Sequence, residues 1–232
     1  MRLLRAFGAA FSYFSILPGP SYDGAADDDA IAFLPFVGLL IGALAGLGGY
    51  GSAQLTHSPI AAAIAAWLLT IALSGAIHLD GFLDCADGLF AMRSAERRLE
   101  IMHDPRHGTY AIVGMAMLSV VWLYALAQIP APMLPVTLAL TGFFARWSAV
   151  GPRTIGAMLP GAVLAVALLV LLHNHRAAVL IGVVIALATS FVVELFARRR
   201  LSGVISGDCY GAAIVVSEVA LLLSFPYLVA LR

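Results

Sequence analysis

The chain has 232 residues, of which 62% are hydrophobic and only 11% charged, and it carries no formal net charge at neutral pH. A mean hydropathy of +0.97 lies far from the balance of a soluble domain and points to a membrane protein. The even charge and the lack of a basic soluble region argue against nucleic acid as a partner, and the length suits one integral membrane domain over 1–232.

In chain order, Met1-Arg-Leu-Leu-Arg-Ala-Phe7 looks superficially like a secretory signal. Pro18-Gly-Pro20 breaks that run and further spans follow, so an uncleaved segment lying at the interface is expected. Asp23 and Asp27-Asp-Asp29 form an acidic patch, read as a solvated helix start. Apolar runs long enough to cross about 30 Å of hydrocarbon then occur near 31–55, 59–79, 109–129, 133–151, 156–173, 177–197 and 211–230. The expected fold is all-α, a polytopic membrane helical bundle with about seven transmembrane helices. The run 156–173 is the weakest because Pro160 interrupts it.

Orientation rests on arginine, because the chain has no lysine. With the N-terminus inside, Arg2, Arg5, Arg93, Arg97, Arg98, Arg106, Arg146, Arg153, Arg198, Arg199 and Arg200 fall on or toward the inner side; only Arg176 and Arg232 fall outside. Eleven against two is a strong positive-inside bias and predicts N-in, C-out. The loops around 80–108 and 201–210 then face the cytoplasm, and any active site with them. Cys85 and Cys209 lie on that reducing side, so small buried thiols are expected and not a disulfide.

The most informative stretch is His78-Leu-Asp-Gly-Phe-Leu-Asp-Cys-Ala-Asp-Gly-Leu-Phe90. A chain this apolar carries few carboxylates, yet Asp80, Asp84 and Asp87 fall within eight residues. At helical spacing they lie within roughly 60° of one another over about 10 Å of axis. Carboxylates about 6 Å apart repel by roughly 3 kcal/mol per pair at an effective dielectric near 20. A divalent cation, several cationic side chains, or protonation would relieve that repulsion. A solvated polar helix end is the plain alternative, but it needs one or two polar residues and not three on one face.

The following loop runs from Arg93 to Tyr110. Ser94 is a partial helix-start signal, and Glu96, Arg97, Leu99, Glu100 and Met102 suggest a short amphipathic helix ended by Pro105 and Gly108. Asp104-Pro-Arg-His-Gly108 places a carboxylate, a guanidinium and an imidazole beside a glycine turn, a set suited to phosphate, with Arg106 a planar bidentate donor. His103 and His107 mimic a zinc pair, but the proline between them spoils a shared helical face. Near the end, Asp208 sits in a glycine-bounded turn and Glu218 lies about two turns into the last span. An ionisable group at that depth costs about 2.5–3.5 kcal/mol, so Glu218 either lines a polar site or pairs with Arg146.

These stretches, His78 to Phe90, Glu100 to Tyr110 and Gly207-Asp-Cys-Tyr-Gly-Ala-Ala-Ile214, together with Ile16-Leu-Pro-Gly-Pro20 and Leu34-Pro-Phe-Val-Gly-Leu-Leu-Ile-Gly42, resemble the cobalamin synthase family of adenosylcobinamide-GDP ribazoletransferases. The likeness runs through most of the chain in the same order. It implies an enzyme of the bacterial cytoplasmic (inner) membrane that joins adenosylcobinamide-GDP to α-ribazole or its 5′-phosphate and releases GMP. It implies Mg2+ held by Asp80, Asp84 and Asp87, with Arg106 and Arg93 neutralising phosphoryl charge and Asp104 or His107 orienting or deprotonating the acceptor hydroxyl. His78, Asp208, Glu218 and Arg146 are expected to line the substrate site, with membrane lipid around the bundle and homo-oligomerisation left open. One departure stands out: the family's longer loop after the fourth span is reduced to Gly151-Pro-Arg-Thr-Ile-Gly156, which bears on recognition of the nucleotide loop.

Two other readings stay in view. A CDP-alcohol-type membrane phosphotransferase would place an Ala-Arg pair soon after its second aspartate and two more aspartates at spacing four. Here Cys85-Ala86 follows Asp84, and no fourth aspartate completes that set. A cation-coupled transporter would use Asp80, Asp84, Glu218 and Arg146 as an ion path, yet the aspartates lie at a helix end and the halves show no inverted repeat.

Overall fold

The structure, a computed structural model, describes residues 2–17, 28–150, 155–171 and 173–230. The Pro18–Pro20 break, Asp23, Asp27, Arg153 and Arg232 lie outside the described residues. Eleven α-helices follow one another among the described residues: α1 Arg2–Phe14, α2 Asp28–Ile31, α3 Leu34–Thr56, α4 Pro59–Leu73, α5 Ile77–Phe90, α6 Ala95–Met102, α7 Thr109–Ala127, α8 Leu134–Val150, α9 Ile155–Leu171, α10 Arg176–Arg200 and α11 Gly207–Ala230. Among the described residues five helical stretches, against about seven expected, are long and apolar enough to cross a membrane: α3, α7, α8 with the short turn before it, α10 and most of α11. The chain is therefore an all-α, multi-pass membrane bundle.

Helix α3 and helix α8 form the centre of that bundle, and glycine makes their contact. Gly38, Gly42 and Gly46 recur every four residues and share one face of α3. A Cβ at Gly38 would stand 2.2 Å from the Gly142 carbonyl oxygen, and one at Gly42 would stand 2.0 Å from the Leu138 oxygen. Between helices in lipid there is little hydrophobic drive, so close backbone approach through small residues supplies the packing. Helix α10 lies toward the outside, with Leu180, Ile181, Val184, Phe191 and Val192 exposed; in a bilayer these side chains meet hydrocarbon. Helix α1 packs Ala9 and Ala10 against Val37 and Ile41 of α3.

The run 59–79, expected as one continuous span, is broken. Helices α4 and α5 meet at 90°. The chain turns through left-handed backbone at Gly75 (φ +61°) and Ala76 (φ +59°), while Ala76 N–H donates to the Ile71 carbonyl at 3.0 Å. Glycine enters that region at no steric cost, and alanine enters it at about 1–3 kcal/mol. The bend matters for chemistry because it re-aims α5 across the end of the bundle and carries the aspartates out of the continuous span. The run 156–173 forms α9, which at 17 residues is shorter than the five full spans.

Candidate active site

Helix α5 lies against α11, and two glycines set the distance. A Cβ at Gly81 would stand 2.8 Å from the Asp208 Cα, and a Cβ at Gly211 would stand 3.2 Å from the His78 carbonyl oxygen. With side chains at these positions the helices would separate, and Asp208 in the first turn of α11 would move away from α5. The other end of α5 is held by two arginines. Arg98 Nε donates to the Ala91 oxygen at 3.0 Å and its Nη1 to the Arg200 oxygen at 2.7 Å, while Arg200 Nε donates to the Leu89 oxygen at 2.8 Å. Guanidinium groups thereby cover carbonyls that the helix end leaves without partners, at the negative pole of its dipole.

On this fixed helix Asp80 and Asp84 share a face and meet His107, which arrives on the turn before α7. His107 Nε2 lies 4.0 Å from Asp80 Oδ1 and its Nδ1 lies 3.8 Å from Asp84 Oδ1. The Asp80 side chain is 65% exposed and that of Asp84 only 16%, so the pair forms a wall with one open and one sheltered carboxylate. Asp84 also sits in the negative field of Asp208 and Asp87, which His107 opposes when protonated. Asp208 is half-buried in the first turn of α11.

Asp87 does something else. Its side chain is buried, its Oδ2 accepts the Gly108 N–H, and its Oδ1 accepts the Ala111 N–H at 3.0 Å. Among the described residues, no three His, Cys, Asp or Glu side chains converge as a ready-made cation cage. Magnesium seldom needs one; it is usually held by one or two carboxylates, waters and substrate phosphates. Asp80 and Asp84 with Asp208 opposite offer hard oxygen donors, while Cys85 and Cys209 are free thiols buried among apolar side chains. The donor set therefore fits a hard divalent cation.

The loop residues are placed as follows. Asp104 and Arg106 form a bidentate pair, with Arg106 Nε on Asp104 Oδ1 at 2.9 Å and Nη2 on Oδ2 at 2.7 Å. The guanidinium holds the Asp104 carboxyl down to about 2. Arg106 is 86% exposed and Arg93 is exposed, so both face solvent at this end of the molecule. The expected short helix is α6, capped by the Ser94 hydroxyl, which accepts the Arg97 N–H.

Three expected site residues lie elsewhere. Arg146 Nη1 donates to Glu218 Oε1 at 2.6 Å, with side-chain exposures of 2% and 6%, and also to the Gly142 carbonyl. They pair inside the bundle between α8 and α11, as the pairing alternative anticipated. His78 is buried and stacks on Phe14, with ring centroids 6.0 Å apart. These three side chains face the interior and not the open carboxylate wall.

Sequence reasoning missed the arginine clamp and the Asp87 contacts. Arg98 and Arg200 stood out only as inside charges, and nothing local signals a partner about a hundred residues away.

A family model described as cobalamin-5-phosphate synthase matches residues 6–226. The chain belongs to that family. Relatives named adenosylcobinamide-GDP ribazoletransferase include one from Ralstonia nicotianae, 32% identical across 94% of this chain and 93% of its own. Another, from Bradyrhizobium diazoefficiens, is 35% identical across 92% of this chain and 90% of its own, and one from Citrobacter koseri is 31% identical across 95% and 98%. No solved structure matches the chain. The family match covers every element of the site, from the aspartates of α5 to Asp208 of α11.

Proposed function

We propose that this membrane protein is an adenosylcobinamide-GDP ribazoletransferase, joining adenosylcobinamide-GDP to α-ribazole or its 5′-phosphate in cobalamin synthesis. The family match over 6–226 carries the reading, and the approach of His107 to Asp80 and Asp84, with the Asp208 backbone packed against Gly81 of the same helix, supports it. In this reaction the acceptor 3′-hydroxyl forms a new P–O bond to the phosphorus on the cobinamide arm. The P–O bond of the diphosphate bridge breaks, and GMP leaves with its oxygen and electron pair.

Asp80, Asp84 and Asp208 are the residues that would hold magnesium. Bound there, the cation would neutralise diphosphate charge and favour departure of GMP. His107 stands beside this wall and is the group that takes the acceptor proton. Asp104 is the weaker candidate because both its oxygens already accept from Arg106. Arg106 and Arg93, facing solvent, would exchange water or Asp104 for phosphoryl oxygens when substrate arrives. A phosphate-binding guanidinium parked on a carboxylate stays oriented at little cost, because Arg106 is exposed and an ion pair in water is worth little.

The membrane would be the bacterial cytoplasmic (inner) membrane, with the carboxylate wall on the cytoplasmic face. The arginine bias supports that orientation. The test is product identity. Purified protein in nanodiscs, given adenosylcobinamide-GDP, α-ribazole and magnesium, is expected to release GMP and cobalamin in equal amounts. Folded protein yielding neither product with α-ribazole or its 5′-phosphate would end this reading.

A further inference from the structure

Helix α7 begins without a cap of its own. Its N-cap residue is Gly108, with no side chain to accept the free N–H groups of the first turn. The acceptor comes from another helix. Asp87 of α5 receives the Gly108 and Ala111 N–H groups on its two oxygens, doing across 21 and 24 residues what a serine does locally. A Cβ at 108 would stand 2.9 Å from Asp87 Oδ1, so a side chain there would push the carboxylate out of its capping position. The charge suits the site too, since a carboxylate is favoured at a helix N-terminus.

His107 is the residue immediately before Gly108, so the backbone that carries its imidazole is fixed by this cap. The ring then lies 4.0 and 3.8 Å from the Asp80 and Asp84 carboxylates. The three aspartates of α5 thus divide by environment: Asp80 is open, Asp84 sheltered, and Asp87 buried at 7% exposure with both oxygens engaged by backbone. A cation drawn to Asp87 would have to displace those N–H groups and release the start of α7.

We infer that Asp87 is a positioning residue which holds His107 over the Asp80–Asp84 pair by capping α7, and that it is not one of the carboxylates that hold the metal. This rests on the ribazoletransferase reading for its consequence in catalysis, though not for the cap itself.

The experiment compares the wild type with Asp87→Asn, Gly108→Ala, His107→Asn and the double variant Asp87→Asn/His107→Asn, all in nanodiscs. Amide hydrogen exchange over 104–112 is expected to speed up in Asp87→Asn and Gly108→Ala while the body of α7 stays protected. The kcat for GMP release is expected to fall roughly 10- to 100-fold in Asp87→Asn, with the magnesium half-saturation within about twofold of wild type. The double variant is expected to lose no more than His107→Asn alone, because one residue acts through the other.

A magnesium demand raised tenfold or more in Asp87→Asn, matching Asp84→Asn, would overturn the inference and make Asp87 a ligand. Losses that multiply in the double variant would also overturn it, as would unchanged exchange over 104–112. If Asp87→Asn does not fold, Gly108→Ala disturbs the same cap with every carboxylate intact and decides by the same criteria. If the wild type makes no product, the functional reading has failed separately. Exchange, together with Mn2+ binding to the protein alone followed by paramagnetic resonance, then still decides the role of Asp87.

Discussion

Gly81→Ala tests whether the α5–α11 contact builds the site. The added methyl would stand 2.8 Å from the Asp208 Cα and 2.9 Å from its carbonyl oxygen, both backbone atoms that no rotamer change can move. Carbon atoms rest at about 3.5–4.0 Å, so the helices must part by roughly 0.7–1.2 Å. Overpacking of this kind costs about 1–3 kcal/mol of stability. The effect on catalysis is expected to be larger, since a displacement of about 1 Å at a reacting centre costs on the order of a hundredfold. Asp208 moves away from Asp84, so the magnesium needed for half-maximal rate should rise as kcat falls. The assay is GMP release at a series of magnesium concentrations, with thermal unfolding in the same nanodiscs. Gly207→Ala is the control, since nothing lies within 4 Å of its added methyl. Wild-type kcat and magnesium demand in Gly81→Ala would refute the argument that close approach of α5 and α11 assembles the carboxylates.

Other expectations follow from the same geometry. His107→Asn should lower kcat by about 10²- to 10⁴-fold with little change in KM for adenosylcobinamide-GDP, and a KM effect alone would assign His107 to binding. Asp104 is held at about 2 by Arg106, so it stays ionised through the working range; Asp104→Asn should leave any acid limb of the pH–rate profile where it is. An acid limb that shifts in Asp104→Asn would make Asp104 the titrating group. Glu218→Leu alone leaves the Arg146 guanidinium buried and unpaired and should destabilise by about 3–5 kcal/mol, whereas Glu218→Leu with Arg146→Leu should recover much of that loss in thermal unfolding. Equal stability of the single variant and the wild type would remove the ion pair as a structural element.

What was readable in the sequence, and what was not, divides by range. The pairing of Asp80 with Asp84 follows from spacing within one helix, and so does α6 from Ser94 onward. Five of the seven apolar runs form full spans among the described residues, because length and composition decide them. The bend at 74–76 was not legible: no proline marks it, and Gly75-Ala76 inside an apolar run carries no strong turn signal. Asp87 looked identical to its neighbours at spacing i, i+4, i+7, and only the arrival of Gly108 and Ala111 separates its role from theirs. Glu218 and Arg146 could be matched by depth in their spans, and the cost of leaving either charge buried and unpaired favours the pair the structure shows. His78 shares a helix with the aspartates yet turns toward Phe14, a packing outcome that spacing alone does not reveal.

The measurement closest to the centre of the account is GMP release with cobalamin formation, titrated with magnesium, for the wild type and for Asp84→Asn in nanodiscs. Magnesium-dependent product is expected from the wild type. Asp84→Asn is expected to run a hundredfold or more slower, with excess magnesium restoring the rate only in part, as when a cation-holding carboxylate loses its charge. Equal rates and equal magnesium demand in both proteins would contradict the carboxylate wall as the reaction site.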